Sequence, residues 1–254
     1  MQITEPGTAP EPAALTVETG APSSSGDGED EAAATPLAAA ILETRRPLLL
    51  RGAIAAATVR DLYAYFQLTK RPSPPLVPGF RENTVSNEAG ANELGAPTTP
   101  GRLFRGNTAG QLRVDAPPSA ADAAAPLLPE GVAVKKSIAF ATSKGLRTPM
   151  HSDAEDGLLL HVAGSKRVLI AGPAGANVET ALRLGRRNGT HLDVFGAVPD
   201  AAAKLGAAPA DVASVELHPG DALYIPRRWL HDVESRTASL SIALRLDLPA
   251  HLDF

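Results

Sequence analysis

From Ser137 onward the chain is a succession of short segments in which apolar residues alternate with small or polar ones, each closed by a turn signal. A period of two belongs to strands with one face buried, and a helix with its period of 3.6 does not satisfy it. Ser137–Thr142 alternates Ile138 and Phe140 with smaller neighbours. Leu158–Val162 and Lys166–Ala171 flank Ala163-Gly164-Ser165, which predicts a tight hairpin. Val215 and Leu217 run into Pro219-Gly220-Asp221, and Leu223 and Ile225 then run into Pro226. In the last such segment Leu240, Ile242, Leu244 and Leu246 share one face, with Ser239, Ser241, Ala243 and Arg245 on the other. Many short antiparallel strands of this kind close into a sandwich or a jelly-roll barrel. No period of about 20–50 residues recurs, which excludes a repeat array.

The N-terminal half has a different texture. Residues 1–35 are Ala, Pro, Ser, Gly, Glu and Asp with almost nothing large to bury, and a segment of that composition is expected to be disordered. It holds seven acidic and no basic residues, so the remaining 219 carry 24 basic against 21 acidic groups, a balance of +3. Pro36–Thr44 reads as a short helix and Arg46–Gly52 as a short buried strand ending at a turn. Val59, Leu62, Tyr63 and Phe66 recur at spacings of three and four, which predicts an amphipathic helix over Val59–Leu68. Residues 71–130, punctuated by Pro and Gly, read as loops with a strand near Leu112–Val114.

Composition removes several chemistries. There is no cysteine, which excludes a disulfide scaffold, a zinc finger, an iron–sulfur site and a thiol nucleophile. No apolar run is long enough for a membrane-spanning helix. Without disulfides or a basic-then-apolar leader, the expected address is cytoplasmic. A balance of +3 outside the tail is too small for a nucleic-acid footprint.

What remains is a constellation of imidazoles and one carboxylate. His151 and Asp153 stand two apart in Arg147-Thr148-Pro149-Met150-His151-Ser152-Asp153, so on extended chain they project to the same side. His231 follows in the stretch after Pro219-Gly220-Asp221. Two histidines and one carboxylate on one face of a metal form the triad of non-haem Fe(II) oxygenases, which leaves coordination positions for a cosubstrate and dioxygen. A second His-x-Asp, His191-Leu192-Asp193, has no apolar strand leading into it and reads as a solvated loop. The copy at 151–153 is favoured by its setting, with Thr148 three residues before and Lys166 just past the next turn.

Three runs taken together carry a resemblance. They are Thr148-Pro149-x-His151-x-Asp153, then Gly164-Ser165-Lys166-Arg167-Val168-Leu169, then Pro219-Gly220-Asp221-Ala222-Leu223-Tyr224-Ile225-Pro226-x-x-Trp229-x-His231-x-Val233-x-Ser235. In this order they resemble the JmjC/cupin-like oxygenases, in particular the hydroxylase branch typified by the asparaginyl hydroxylase acting on hypoxia-inducible factor. The likeness covers roughly residues 137–246, with Arg46–Gly52 similar to the strand that often opens such domains.

The resemblance implies a double-stranded β-helix (a jelly-roll or cupin barrel of about eight strands) with flanking N-terminal helices, occupying residues 36–254 behind the acidic tail. It implies Fe(II) held by His151, Asp153 and His231, and 2-oxoglutarate held at its far carboxylate by Lys166 and Thr148. Arg245, on the polar face of the last strand, is open between a second anchor for an anionic cosubstrate or substrate and an ordinary rim arginine. The implied reaction is hydroxylation of a C–H bond coupled to conversion of 2-oxoglutarate and O2 to succinate and CO2. The acceptor is expected to be a peptide or protein side chain, with a small biosynthetic metabolite second. A metal-binding cupin without oxygenase activity and an inactive interaction module are the other classes. Ala243 fills the place of an asparagine carried by the relatives, and residues 80–115 contain Phe104 but no tyrosine. Trp229 and His161 read as core packing residues, and Arg183–Arg187 and Arg227-Arg228 as solvated basic loops.

Overall fold

The structure is a computed structural model that describes residues 16–19, 36–68, 76–77, 93–94, 99–104, 110–172, 198–205 and 211–249. In chain order, Thr16–Thr19 is β1, Pro36–Ala39 is α1 and continues as a π-turn over Ala40–Thr44, Leu48–Arg51 is β2, and Ala56–Leu68 is α2. Two-residue strands follow at Leu76–Val77 (β3) and Glu93–Leu94 (β4), then α3 at Pro100–Phe104, β5 at Gln111–Asp115 and α4 at Ser119–Ala124. The barrel half supplies β6 (Ala133–Thr142), β7 (Arg147–Ser152), β8 (Gly157–Ala163) and β9 (Lys166–Ala171). After α5 (Val198–Leu205) come β10 (Val212–Leu217), β11 (Ala222–Ile225), β12 (Leu230–Ser235) and β13 (Ser239–Asp247).

Among the described residues these strands form two sheets. The larger runs β1-β2-β11-β8-β13-β6-β5-β3-β4 and the smaller β10-β9-β12-β7. Most successive strands of the barrel half change sheet, β9 and β10 excepted: β8 pairs with β11 and β13, whereas β9 pairs with β10 and β12. The expected hairpin over 163–165 is therefore corrected to a crossing between sheets. Strand alternation looks the same whether the chain folds back on its own sheet or passes to the facing one, so periodicity cannot separate the two. The crossing needs its glycine. Gly164 has φ +74, and a Cβ there would sit 2.1 Å from the Ala238 carbonyl oxygen.

Each face of the two sheets has a distinct partner. Leu158, Leu160, Val162, Leu240, Ile242, Leu244 and Leu246 turn outward from the large sheet and pack with Leu62, Phe66, Leu103, Ala120 and Ala124 of the helices. Between the sheets, Leu49, Leu223 and Ile225 meet Val168, Ile170, Val215 and Leu217. Outside the small sheet, Met150, Leu169, Ala171, Val212 and Leu230 are covered by Ala201, Ala202 and Leu205 of α5. This is the jelly roll expected from sequence. Each fully buried Leu or Ile contributes about 1.5–3 kcal/mol.

The N-terminal expectations hold for α1, β2 and α2, whose Leu62 and Phe66 are buried. Residues 71–130 depart from expectation: β5 is present, but so are α3 and α4. Their prolines read as breaks, although Pro100 opens α3 and Pro117-Pro118 precede α4. Proline suits a helix start, because its missing N–H is one that no helical partner would satisfy. Within the acidic tail, Thr16–Thr19 forms β1, parallel to β2 with Val17 opposite Leu49. The segment Thr-Val-Glu-Thr is locally rich in β-branched residues and completes an otherwise open strand edge. The remainder of the tail lies outside the described residues.

Candidate metal centre

β7 and β12 are neighbours in the small sheet, and His231 stands directly opposite His151. Their ring centroids are 4.1 Å apart. Next along the ladder Val233 faces Thr148, so two residues of β7 oppose Asp232 alone. That is a β-bulge, and it solves a parity problem. On a regular strand Thr148 and His151, three apart, would point to opposite faces. The bulge gives both the inward register while Met150 joins the outer cluster under α5.

Asp153 follows the end of β7, where Arg228 N–H donates to its carbonyl oxygen at 2.9 Å. Its carboxylate Oδ2 lies 3.7 Å from His231 Nε2. One donor atom from each of His151, Asp153 and His231 can be chosen within 4.8 Å of the others. Two ligands each about 2.0–2.2 Å from a single ion stand at most about 4.4 Å apart, so the set needs only a small contraction to share one. His231 Nδ1 hydrogen-bonds the Trp229 carbonyl oxygen at 3.1 Å. With Nδ1–H donating there, the Nε2 lone pair faces the carboxylate, the arrangement usual for a metal-bound histidine. The donor chemistry and the supporting hydrogen bond both fit a divalent transition metal.

Electrostatics favour the ligand forms. Burial above all, and then His151 beside it, keep His231 neutral well below the ordinary imidazole range. For Asp153 burial works upward, but the hydrogen bond from Arg245 and the neighbouring His231, Arg245 and His151 outweigh it and leave the carboxyl ionised below its usual range.

Farther along the inner face, Lys166 stands opposite Leu217 on one side and Ser235 on the other. It is 4% exposed. Burial lowers its ammonium to about 8, and no carboxylate of the described residues pairs with it. Around it lie other buried polar groups. Ser239 Oγ donates to Ser235 Oγ at 3.0 Å. His161 bonds Ser241 Oγ through Nδ1 and the Gly164 carbonyl oxygen through Nε2, both at 2.9 Å. Burial, and secondarily the charge of Lys166, push His161 down to about 4, so it stays neutral as a satisfied core histidine. Thr148 faces Val233, two residues along β12 from the partner of Lys166.

Arg245, left open in sequence between an anchor and a rim arginine, reaches from β13 so that its Nη1 donates to Asp153 Oδ2. Trp229 packs against the inter-sheet core, in keeping with a packing role. Arg228 is exposed with φ +67. His191, Asp193 and Arg183–Arg187 lie outside the described residues.

Three supporting groups were not anticipated from sequence. Arg147 clamps Asp232, donating from Nε at 2.9 and 3.0 Å and also from Nη2, which staples β7 to β12 behind the histidines. Asp232 is completely buried. Arg147 and Asp232 belong to strands that pair, so the signal exists once the pairing is known. Asp156 accepts from Tyr224 Oη at 2.7 Å and from Arg45 Nη2 at 2.8 Å, which ties the segment after Asp153 to the N-terminal helix. Asp221, in sequence a turn residue, also accepts from Arg51 Nη1 at 2.5 Å and from Gly52 N–H at 3.1 Å.

The description "cupin-like domain" matches residues 81–246. This chain belongs to the cupin-like family. Among curated proteins, this cupin-like chain is 32% identical over 105 residues to Jumonji C domain-containing protein 5 of Drosophila melanogaster, covering 39% of this chain and 24% of that protein. It thus spans about a quarter of the length of that relative. Among solved structures, YcfD, a ribosomal oxygenase from Escherichia coli, aligns over 80% of this chain and 48% of its own, with TM-score 0.46 and 16% identity. A structure of YcfD with cobalt and succinic acid aligns over the same shares, at TM-score 0.44 and 16% identity. The JmjC/cupin resemblance drawn from the three motifs is borne out.

Proposed function

We propose that this chain is an Fe(II)- and 2-oxoglutarate-dependent dioxygenase of the cytoplasm that hydroxylates a C–H bond, with a peptide or protein side chain as the favoured acceptor. The observation that carries the reading is the meeting of His151 and His231, opposite one another in the small sheet, with Asp153 just past the end of β7. His151, Asp153 and His231 would hold the metal. The metal, with 2-oxoglutarate and O2, supplies the oxidising power, and succinate and CO2 are its by-products.

The chain's own residues do the rest. The Trp229 carbonyl and the bulge at Asp232 orient the two imidazoles. Lys166 is a desolvated cation lacking a carboxylate partner among the described residues, and burying such a charge is costly unless an anion completes the pair. A dicarboxylate chelating the metal at one end offers that anion at the other, with the Thr148 hydroxyl as a further donor. The aliphatic side chains of Val168, Ile170, Leu223 and Ile225 keep water from the space between the sheets.

Thermal shift under anaerobic conditions tests the reading. Mn(II) and 2-oxoglutarate together should raise Tm beyond Mn(II) alone. Stabilisation by metal without any response to 2-oxoglutarate would identify a plain metal-binding cupin, and response to neither an inactive module. His231→Ala should abolish metal-dependent succinate formation, and turnover at the wild-type rate would reject the ligand set. A mass-spectrometric screen for products 16 Da heavier (one oxygen) over peptides and small metabolites decides the acceptor.

A further inference from the structure

Arg245 carries more than its place on the barrel rim requires. Its cross-strand partner on β8 is Gly157. A Cβ at Gly157 would lie 3.7 Å from Arg245 Nη1, so the guanidinium lies over the one position in the ladder with no side chain to block it. Beyond that gap Nη1 donates to Asp153 Oδ2, the same oxygen that stands 3.7 Å from His231 Nε2. The pair is largely withdrawn from water, with side chains 18% and 22% exposed.

The backbone adds a second hold. The register of β13 against β6 shifts between Arg245 and Leu246. There Leu246 N–H turns to the Asp156 carbonyl oxygen at 2.9 Å. Consecutive residues of β13 therefore grip both ends of the segment 153–156, one through its side chain on Asp153 and the other through its main chain on Asp156.

We propose that Arg245 is the positioning residue for Asp153: it crosses the opening left by Gly157 to hold the carboxylate toward the two imidazoles, fixing the third ligand of the metal from the opposite sheet. This rests on the metal reading above and assigns Arg245 to the ligand rather than to an anionic cosubstrate. The partners that orient a metal ligand are typically worth about 10–100-fold in metal affinity.

Titration with Co(II) tests it, read by affinity and by the ligand-field absorption of the bound ion, both independent of turnover. Arg245→Gln should weaken Co(II) binding about 10–100-fold and alter the absorption band, while Arg245→Lys restores part of both. Gly157→Leu, which obstructs the guanidinium without removing its charge, should reproduce the loss. Should Arg245→Gln not fold by circular dichroism, Arg245→Lys and Gly157→Leu carry the comparison. Wild-type affinity and an unchanged band in Arg245→Gln, or in both substitutes where that variant does not fold, would overturn the assignment while leaving the metal reading intact. Failure of the wild-type chain to bind Co(II) at all would overturn both.

Discussion

The two sheets divide the labour of this barrel unevenly. The large sheet lays an aliphatic outer face against the helices, and its residues there are interchangeable in kind. Among the described residues the outer cluster of the small sheet has eight members, five of its own and three from α5, yet His151, His231, Thr148 and Lys166 all lie on its strands. Within its strands it also keeps an ion pair, Arg147–Asp232, whose carboxylate is buried and whose guanidinium is partly exposed. Aliphatic packing accumulates on the outer face of the large sheet, while both imidazoles and Lys166 sit on the small one. The lesson is that a site can be precise without sitting in the best-packed layer, provided directed polar contacts replace contact area.

That contrast can be broken by substitution. Asp232→Asn removes the buried charge that Arg147 grips, and because the guanidinium is partly exposed the cost should fall below the figure of about 3–5 kcal/mol for a fully buried pair. Urea unfolding should show that loss, and Mn(II) affinity should fall with it, because β7 and β12 carry the two histidines. A variant destabilised but binding metal normally would show that the clamp serves only the fold. Leu160→Ala, on the outer face of the large sheet, should cost about 2–5 kcal/mol through its cavity while the folded protein keeps its Mn(II) affinity. Weakened metal binding there would mean that the two layers are not separable.

The smallest expected effect concerns Lys166, farther along the inner face. Burial lowers Lys166 to about 8 from 10.5 in the unfolded chain, so its positive charge is lost as pH rises through that lower value. Burial therefore destabilises the folded chain below about pH 8, and the penalty fades as pH rises toward 10.5. Anion binding has the opposite dependence. The affinity for 2-oxoglutarate, measured by calorimetry with Mn(II), should fall about tenfold between pH 7 and pH 9. Lys166→Arg remains charged throughout and should flatten the profile. A flat profile in the wild-type chain would remove Lys166 from the anion site.

How much of this was readable in advance follows from which forces are local. The strands of the barrel half announce themselves through alternation, since burial of one face acts residue by residue. His151 and Asp153 could be paired by their spacing of two, but only the motifs that carry the family resemblance singled out that copy and joined His231 to it. What escaped depends on partners distant in sequence. The crossing at Gly164 is invisible to a period, and the bulge that aligns Thr148 with His151 is defined only against β12. Arg245 could be placed on the inner face, but its contact with Asp153 depends on an empty position opposite, which only the pairing of β13 with β8 reveals. In α3 and α4 the prolines hid helix starts that short Ala- and Gly-containing segments do not advertise.

The salt link from Arg45 to Asp156 has a practical corollary for anyone trimming this protein. The stretch recognisable as cupin-like begins at residue 81, yet the guanidinium that steadies the segment after Asp153 enters from position 45. A fragment cut at the recognisable border would discard that brace together with β2. A fragment that keeps this brace thus starts well upstream of the boundary that similarity alone would draw.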